Sequence, residues 1–169
     1  PNTRTCPVFR GALDAEVTKA IYRRVPAFQT EGRPDGDPWS AQLARLFMMD
    51  ADSDHFVQAS ATLAPTAHRR LYESKLIHQF DHRFATFLGV GEEGLRAGQA
   101  ADVADRSPST LVASRFWVSN ELTEARYARS GWQAEWALAL RDITNVTNER
   151  TTISCVIPRE AAANNLPLI

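Results

Sequence analysis

Two segments in the second half of the chain have an apolar residue at every second position, which is the period of a β-strand. In the first segment these residues are Trp132, Ala134, Trp136, Leu138 and Leu140. In residues 151–157 they are Ile153, Cys155 and Ile157, and Pro158 follows. The connecting residues 142–150 are rich in Asp, Asn and Thr, which favour turns. We predict two neighbouring antiparallel strands joined by a polar tip, with Cys155 as a buried thiol.

A helical period occurs near the start of the chain and again after residue 119. In residues 14–24 the apolar positions recur every fourth residue, and Pro26 should end this helix. The apolar stripe consists of Leu13, Val17, Ile21 and Val25. We expect it to face a core. Residues 115–118 are predicted to form a short strand, and Ser119 is a suitable N-cap for a second helix.

Three other segments are loops or ambiguous. Residues 30–38 contain two glycines and two prolines, which indicates turns. Residues 39–47 fit both a strand and a helix. Residues 89–108, rich in Gly, Ala and Asp, are expected to be a long mobile excursion that tolerates deletion.

Composition indicates one domain. The chain has 169 residues, of which 44% are apolar and 23% charged, so it is long enough to bury an ordinary core. With the elements above, this predicts an α+β fold of mainly antiparallel strands with short helices. No apolar stretch reaches the roughly 18 residues of a membrane span, and we expect a cytoplasmic protein without a membrane partner. Cys6 and Cys155 suggest no disulfide framework.

Charge gives a mixed indication about partners. The net charge of −1 argues against a free-standing nucleic-acid binder. Yet seventeen of the nineteen cations are Arg, whose planar fork binds carboxylates, phosphates and guanine edges. A GC-rich genome, which favours Arg codons, is the alternative explanation.

The run of residues 71–84 sets ionisable side chains among large apolar ones, which should hold them in fixed positions. These side chains are Lys75, His78, Asp81, His82 and Arg83. The four-residue spacing of the two histidines allows a metal-dependent nuclease, but no third ligand is nearby, and packed histidines are favoured. A calcium loop at Asp50 is excluded because His55 and Ala61 replace its Gly and Glu. We predict no metal site.

Several stretches, in order along the chain, resemble the large adenine-specific DNA methyltransferases of restriction-modification and phage-defence systems. The matching residues are 2–10, 15–23, 71–83, 115–118, 141–144 and 147–158. In that family they lie in a region similar to a TaqI-like target-recognition domain, after the catalytic domain. The resemblance implies a domain that recognises double-stranded DNA beside a catalytic domain of the same polypeptide.

The catalytic motifs of that family are missing from this chain. Its members bind S-adenosylmethionine near a Phe-x-Gly-x-Gly-type motif and hold a flipped adenine with an Asn/Asp-Pro-Pro-Tyr/Phe motif. Neither motif occurs here. We therefore expect a fragment without its own cofactor or catalytic activity, which functions as the recognition part of a methyltransferase. A protein-interaction or scaffold domain is the alternative.

Candidate DNA contacts fall into three groups. Phosphate contacts are expected from Lys75 and Arg83, with Arg69, Arg70 and Arg115 on the same concave face. The polar tip offers Asn145, Asn148 and Arg150 for base reading, although for Asn148 and Arg150 we favour the alternative that they close the turn and tie it to the core. Further candidates are Arg96, Gln99, Arg106, Arg126, Arg129 and Gln133. Trp117, Trp132 and Trp136 are predicted to be core residues rather than base-stacking ones.

Overall fold

The computed structural model describes residues 9, 11–25, 28, 30, 32–59, 66–88, 100–104, 107, 109–145 and 147–169. The chain divides into two compact units, residues 1–42 and residues 43–169. All the strands that the described residues form lie in the second unit. The proposed sites therefore belong to residues 43–169.

The largest sheet of the second unit has four strands. In spatial order they are β1 (Val57–Gln58), β5 (Phe116–Ser119), β2 (His68–Tyr72) and β8 (Ala161–Ala162). The first three pair antiparallel, whereas β8 runs parallel to β2. Because β8 comes from the last residues of the described chain, the sheet joins segments about 90 residues apart.

Two antiparallel ribbons and two helices complete the elements. One ribbon pairs β3 (Ala85–Phe87) with β4 (Ala100–Asp102), and the other pairs β6 (Trp136–Leu140) with β7 (Ser154–Pro158). The helices are α1 (Ala12–Arg24) and α2 (Asn120–Arg129), and short 3-10 helices span Ser53–His55 and Ser74–Leu76. The prediction of an α+β fold with mainly antiparallel strands is confirmed.

The start of α2 agrees with the sequence prediction. The Ser119 hydroxyl accepts a hydrogen bond from the Leu122 amide at 3.2 Å, which satisfies one of the free amides of the first turn. The preceding strand begins at Phe116, one residue later than predicted. The predicted cap is confirmed.

The inward face of β7 also agrees with prediction. Ile153, Cys155 and Ile157 are buried, while Val156 between them is exposed. Burial raises the pKa of the Cys155 thiol to about 12, so the thiol stays protonated at neutral pH. Cys155 is therefore a small apolar core residue.

The predicted orientation of β6 is wrong. The residues that face the core are Ala137 and Ala139, which are fully buried, whereas Trp136 on the opposite face is 51% exposed. Both faces of the strand are apolar, so alternation alone does not say which face is inside. The alanines let the backbone approach the core closely. Residues 132–135 are outside the strand.

The predicted tryptophan positions are correct only in part. Trp132 is half-buried against the core and donates from its indole nitrogen to the Trp136 carbonyl at 2.7 Å. Trp117 is half-buried beneath the Arg70 guanidinium, 4.7 Å from the ring centroid. Trp136 is not a core residue.

Helix α1 has the predicted position but not the predicted burial. It begins at Ala12 and ends at Arg24, and it contains no buried residue. Its stripe residues are all exposed. The expectation that this stripe faces a core is therefore wrong for the described residues, because a helical period records amphipathicity and not the presence of a neighbour.

The loops agree with prediction in the first unit and differ in the second. Within residues 30–38, the Thr30 amide donates to the Gly36 carbonyl at 2.6 Å, and a side chain at Gly36 would collide with the Thr30 carbonyl. Residues 39–47 form neither a helix nor a strand, only isolated bridges at Ala44 and Phe47. Residues 100–102 of the expected excursion form β4, and Val103 packs in the core, so these residues belong to the fold.

Asp52 and Arg126 clamp residues 46–52 to helix α2. The guanidinium donates to the two carboxylate oxygens at 2.7 and 2.6 Å and also to the Leu46 carbonyl. It lies 4.3 Å from the centroid of the Phe47 ring. The hydrogen bonds from Arg126 are the main reason that the pKa of Asp52 is lowered to about 2. Arg126, a candidate base reader, is thus held inside the protein.

This clamp predicts a pH dependence of stability. Because the folded-state pKa of Asp52 lies below its unfolded value, its stabilisation is complete above about pH 4 and is lost as the pH falls towards about 2. Urea unfolding at several pH values should show a smaller acid-induced decrease for Asp52→Asn than for the wild type. The exposed Asp35→Asn variant serves as control and should keep the wild-type decrease. Equal decreases in wild type and Asp52→Asn would contradict the prediction.

Candidate nucleic-acid interface

Residues 78–81, which are part of the ionisable run at residues 71–84, form a tight turn. The His78 amide donates to the Asp81 carbonyl at 2.8 Å, and the Asp81 amide donates back at 3.0 Å. The Asp81 carboxylate accepts from the Arg83 amide at 2.8 Å. The His78 and Phe84 rings stack with their centroids 4.6 Å apart. We call residues 78–81 the rigid turn.

The rigid turn and the start of β7 are hydrogen-bonded to each other. The Phe80 amide donates to the Ser154 carbonyl at 2.9 Å, and the Ser154 amide donates to the Gln79 side-chain oxygen at 3.1 Å. The Arg141 guanidinium donates to the Ile77 carbonyl. Arg141 and Ser154 flank the β6–β7 connection. The rigid turn is therefore hydrogen-bonded to both ends of that connection.

The connection between β6 and β7, residues 141–153, is the polar tip. The Thr144 hydroxyl donates to the Thr151 carbonyl at 2.8 Å across it. The Asn148 amide donates to the Asn145 carbonyl at 2.9 Å, and the Asn145 side-chain oxygen accepts from the Thr147 amide at 3.2 Å. Asn145 and Asn148 therefore help to close the turn. Asn145 and Arg150 are exposed and Asn148 is half-buried.

Phe80 has an unusual conformation in the rigid turn. Its φ angle is +62°, in the left-handed region that costs a non-glycine residue about 1–2 kcal/mol. Its side chain is 87% exposed, although Phe residues usually contribute to cores. Two unfavourable features therefore coincide at one residue.

The two candidate phosphate contacts differ in their availability. Lys75 is exposed on the 3-10 helix Ser74–Leu76, just before the rigid turn. Arg83 is half-buried, and its guanidinium donates to the Ser107 carbonyl. Lys75 is the freer cation for a polyanion.

The three other candidate arginines bind acidic partners within the fold. Arg69 donates to Asn120 at 2.8 Å and to Glu124 at 3.4 Å. Its neighbour Arg70 donates to Glu160 at 3.1 Å. Adjacent residues of a strand point to opposite faces, so Arg69 and Arg70 of β2 do not share one face.

Arg115 pairs with Glu73, the most buried carboxylate among these ion pairs. Its guanidinium donates to the two oxygens of Glu73 at 2.9 and 2.5 Å and lies 4.9 Å from the centroid of the Phe87 ring. Bidentate geometry of this kind fixes both side chains. Arg69, Arg70 and Arg115 thus make contacts within the fold, and Arg69 and Arg70 do not share the one face that we expected.

The remaining candidates are dispersed. Gln133 is exposed in the loop between α2 and β6, while Arg96, Gln99 and Arg106 lie outside the described residues. Arg129 lines a cavity of about 300 Å³. The other lining residues are Ala44, Arg45, Leu46, Arg126 and Ser130. Arg45 in this cavity pairs with Asp142 at 2.9 Å.

The histidines of the run are packed side chains. Burial, and then the charge of Arg83, lowers the pKa of His82, which therefore favours its neutral form. Within the described part of the chain, no group of three or more His, Cys, Asp or Glu residues is placed to hold a metal ion. The arrangement of His78, Asp81 and His82 gives no support to the nuclease alternative.

Sequence reasoning missed the residues that join these parts. Gln79 and Arg141 make hydrogen bonds to backbone atoms 75 and 64 residues away, and no local pattern signals such contacts. Phe80 was grouped with the apolar residues of its run, because exposure depends on the backbone angle of the turn. A non-glycine residue with positive φ has no clear sequence signature unless it is Asn or Asp.

Comparisons with known proteins give no relative from which a function could be proposed, so the proposal is based on the contacts described above. No family model, no curated protein and no solved structure matches the chain. None of the helices among the described residues is long and apolar enough to cross a membrane.

Proposed function

We propose that this chain is the DNA target-recognition module of a site-specific adenine methyltransferase of a restriction-modification or phage-defence system. One observation carries the proposal. Stretches that resemble this family but lie far apart in sequence meet in space. Residues 77–80 are hydrogen-bonded to residues 141 and 154, which joins the rigid turn to the polar tip.

This geometry suits a protein that reads DNA. Base recognition requires side chains held on rigid elements, because a group that is already ordered loses little entropy on binding. The hydrogen bonds between the rigid turn and the two ends of the polar tip provide such support. The polar tip exposes amide and guanidinium groups. Asn side chains can pair with adenine, and Arg with guanine. In this proposal Asn145, Asn148 and Arg150 lie at the base edges and Lys75 contacts a phosphate.

The proposal assigns a different task to the ion-paired arginines. Arg69, Arg70 and Arg115 bind Glu124, Glu160 and Glu73, so their charges are compensated within the protein. We assign them to support of the sheet.

We assign no catalytic step to this chain. S-adenosylmethionine carries a positive sulfonium and a positive ammonium group, which require nearby acceptors or carboxylates. The cavity of about 300 Å³ is lined by three arginines, and the carboxylates of Asp52 and Asp142 already bind two of them, so it offers no free acceptor for these groups and does not fit this cofactor. Methyl transfer would belong to the catalytic domain of the same polypeptide.

Salt-dependent DNA binding tests the proposal. Fluorescence anisotropy with a pool of random-sequence duplexes should show binding that weakens on the order of tenfold between about 50 and 200 mM salt. Lys75→Gln should weaken binding and reduce the slope of log Kd against log salt by about 1, because one phosphate contact is lost.

The chain offers a matched control for this experiment. Lys19 is the other of its two lysines and lies exposed on α1, paired with Glu16. Lys19→Gln should bind DNA as the wild type does. Equal effects of the two substitutions, or a pool of bound duplexes without an enriched sequence motif, would contradict the proposal.

A protein-interaction or scaffold function is the second candidate. The outer face of the β6–β7 ribbon exposes Trp136 and Val156, and an exposed apolar face is typical of a protein contact. Trp136→Ala should then disrupt a complex and leave DNA binding unchanged.

A further inference from the structure

We propose that Phe80 is an apolar wedge that enters the base stack of bound duplex DNA. This inference rests on the proposed function and adds a residue and a mode of contact to it. The observation behind it is an exposed aromatic ring on a residue whose φ angle is +62°. Both features disfavour the free protein, so a compensating gain is expected on binding.

The backbone around Phe80 is held by hydrogen bonds that fix the position from which its side chain projects. The two hydrogen bonds between His78 and Asp81 close the turn, and the Phe80 amide is held by the Ser154 carbonyl at 2.9 Å. The turn therefore fixes the backbone position from which the exposed side chain projects. Only the two side-chain torsions remain to be ordered when the ring is inserted.

The neighbours of Phe80 distinguish a base stack from an apolar protein groove. Gln79 binds the Ser154 amide and Asp81 binds the Arg83 amide, so the ring is flanked by polar side chains. A protein groove would call for further apolar residues around the ring. A base step instead accepts one flat apolar side chain between two planes, with anionic phosphates on either side. The exposed Lys75 lies close by in sequence to meet such a phosphate.

A wedge should prefer DNA whose stack is already open. Insertion into an intact duplex requires unstacking of a base step, and an abasic site removes much of that requirement. We expect the wild-type chain to bind a short duplex with one abasic site about tenfold more tightly than the intact duplex of the same sequence. Phe80→Ala should bind both duplexes equally and keep the salt dependence.

Three further variants separate the wedge from a folding defect. Phe80→Asn removes the ring but places a residue that tolerates positive φ, so its Tm should equal or exceed that of the wild type while the preference disappears. Phe80→Trp keeps a flat ring and should keep the preference. Leu111→Ala removes another exposed apolar side chain, 68% exposed in a different loop, and should behave as the wild type.

Each outcome of the anisotropy measurements decides between the proposals. Binding of both duplexes with an unchanged abasic preference in Phe80→Ala would overturn the wedge and leave the recognition function intact. Loss of affinity of Phe80→Ala for a single strand alone, and not for the abasic duplex, would also overturn it. Failure of the wild-type chain to bind either duplex would overturn both proposals.

Discussion

Removal of residues 161–169 is expected to unfold residues 43–169, the second unit of the chain. These last nine residues include β8, which pairs with Leu71 and Tyr72 of β2. Their backbone also binds two other segments: the Phe47 amide donates to Ala162, and the Leu140 amide donates to Pro167, at 3.1 and 2.9 Å. The segment therefore connects β2, β6 and the loop before β1.

The magnitude of this effect follows from burial. Leu166 and Leu168 are buried, and each such side chain contributes about 1.5–3 kcal/mol to stability. The truncation also removes these backbone hydrogen bonds and exposes the core residues against which the leucines pack. The total loss in the free energy of unfolding therefore approaches the roughly 5–15 kcal/mol that stabilises a typical domain. Near-UV circular dichroism and urea unfolding should show no cooperative transition in the truncated chain.

Point variants keep this prediction testable. Leu166→Ala should lower the free energy of unfolding by about 2–5 kcal/mol, because it leaves a cavity in the core. Ile143→Ala, at a residue 80% exposed in the polar tip, should change it by less than about 0.5 kcal/mol. A truncated chain with the wild-type unfolding transition would show that β8 is dispensable.

Glu73→Ala is expected to lower the free energy of unfolding by about 3–5 kcal/mol, because it leaves the Arg115 charge without its partner in a mainly buried setting. Glu73 is only 3% exposed, and its carboxylate binds Arg115 through both oxygens. The Arg115 guanidinium also lies between the Phe87 and Phe116 rings, 4.9 and 5.3 Å from their centroids, which limits its escape to water.

A double variant identifies the cause of this loss. In Glu73→Leu combined with Arg115→Met no charge remains unpaired, so much of the stability should return. Glu16→Ala breaks the exposed pair with Lys19 and should cost less than about 1 kcal/mol in urea unfolding. If Glu73→Ala lost no more stability than Glu16→Ala, the Glu73–Arg115 pair would not be important for the fold.

The excess of arginine has a structural explanation that composition alone did not reveal. Eight of the described arginines in residues 43–169 bind carboxylates or backbone carbonyls within the fold. They are Arg45, Arg69, Arg70, Arg83, Arg115, Arg126, Arg141 and Arg159. The planar guanidinium supplies several donors in fixed directions, which suits this use better than a lysine ammonium does. Arginine content is therefore a weak indication of DNA binding in this chain.

The candidate site was predictable only in its polar tip. The alternation in residues 151–157 and the turn-forming residues 142–150 correctly placed a polar connection between two antiparallel strands. The rigid turn was singled out by its ionisable residues, but its exposed Phe80 and its contact with Ser154 were not foreseen. These features depend on one backbone angle and on pairing between distant segments.

By itself, the sequence determined the α+β class, helix α1, the Ser119 cap and the buried face of β7, because each follows from a local period or capping rule. Only the tertiary structure decided that Ala137 and Ala139 face the core, that Asp52 is clamped by Arg126, and that the last residues complete the main sheet. The physical reason is that local patterns specify which surfaces a segment can bury, whereas the choice among them depends on segments that are distant in sequence.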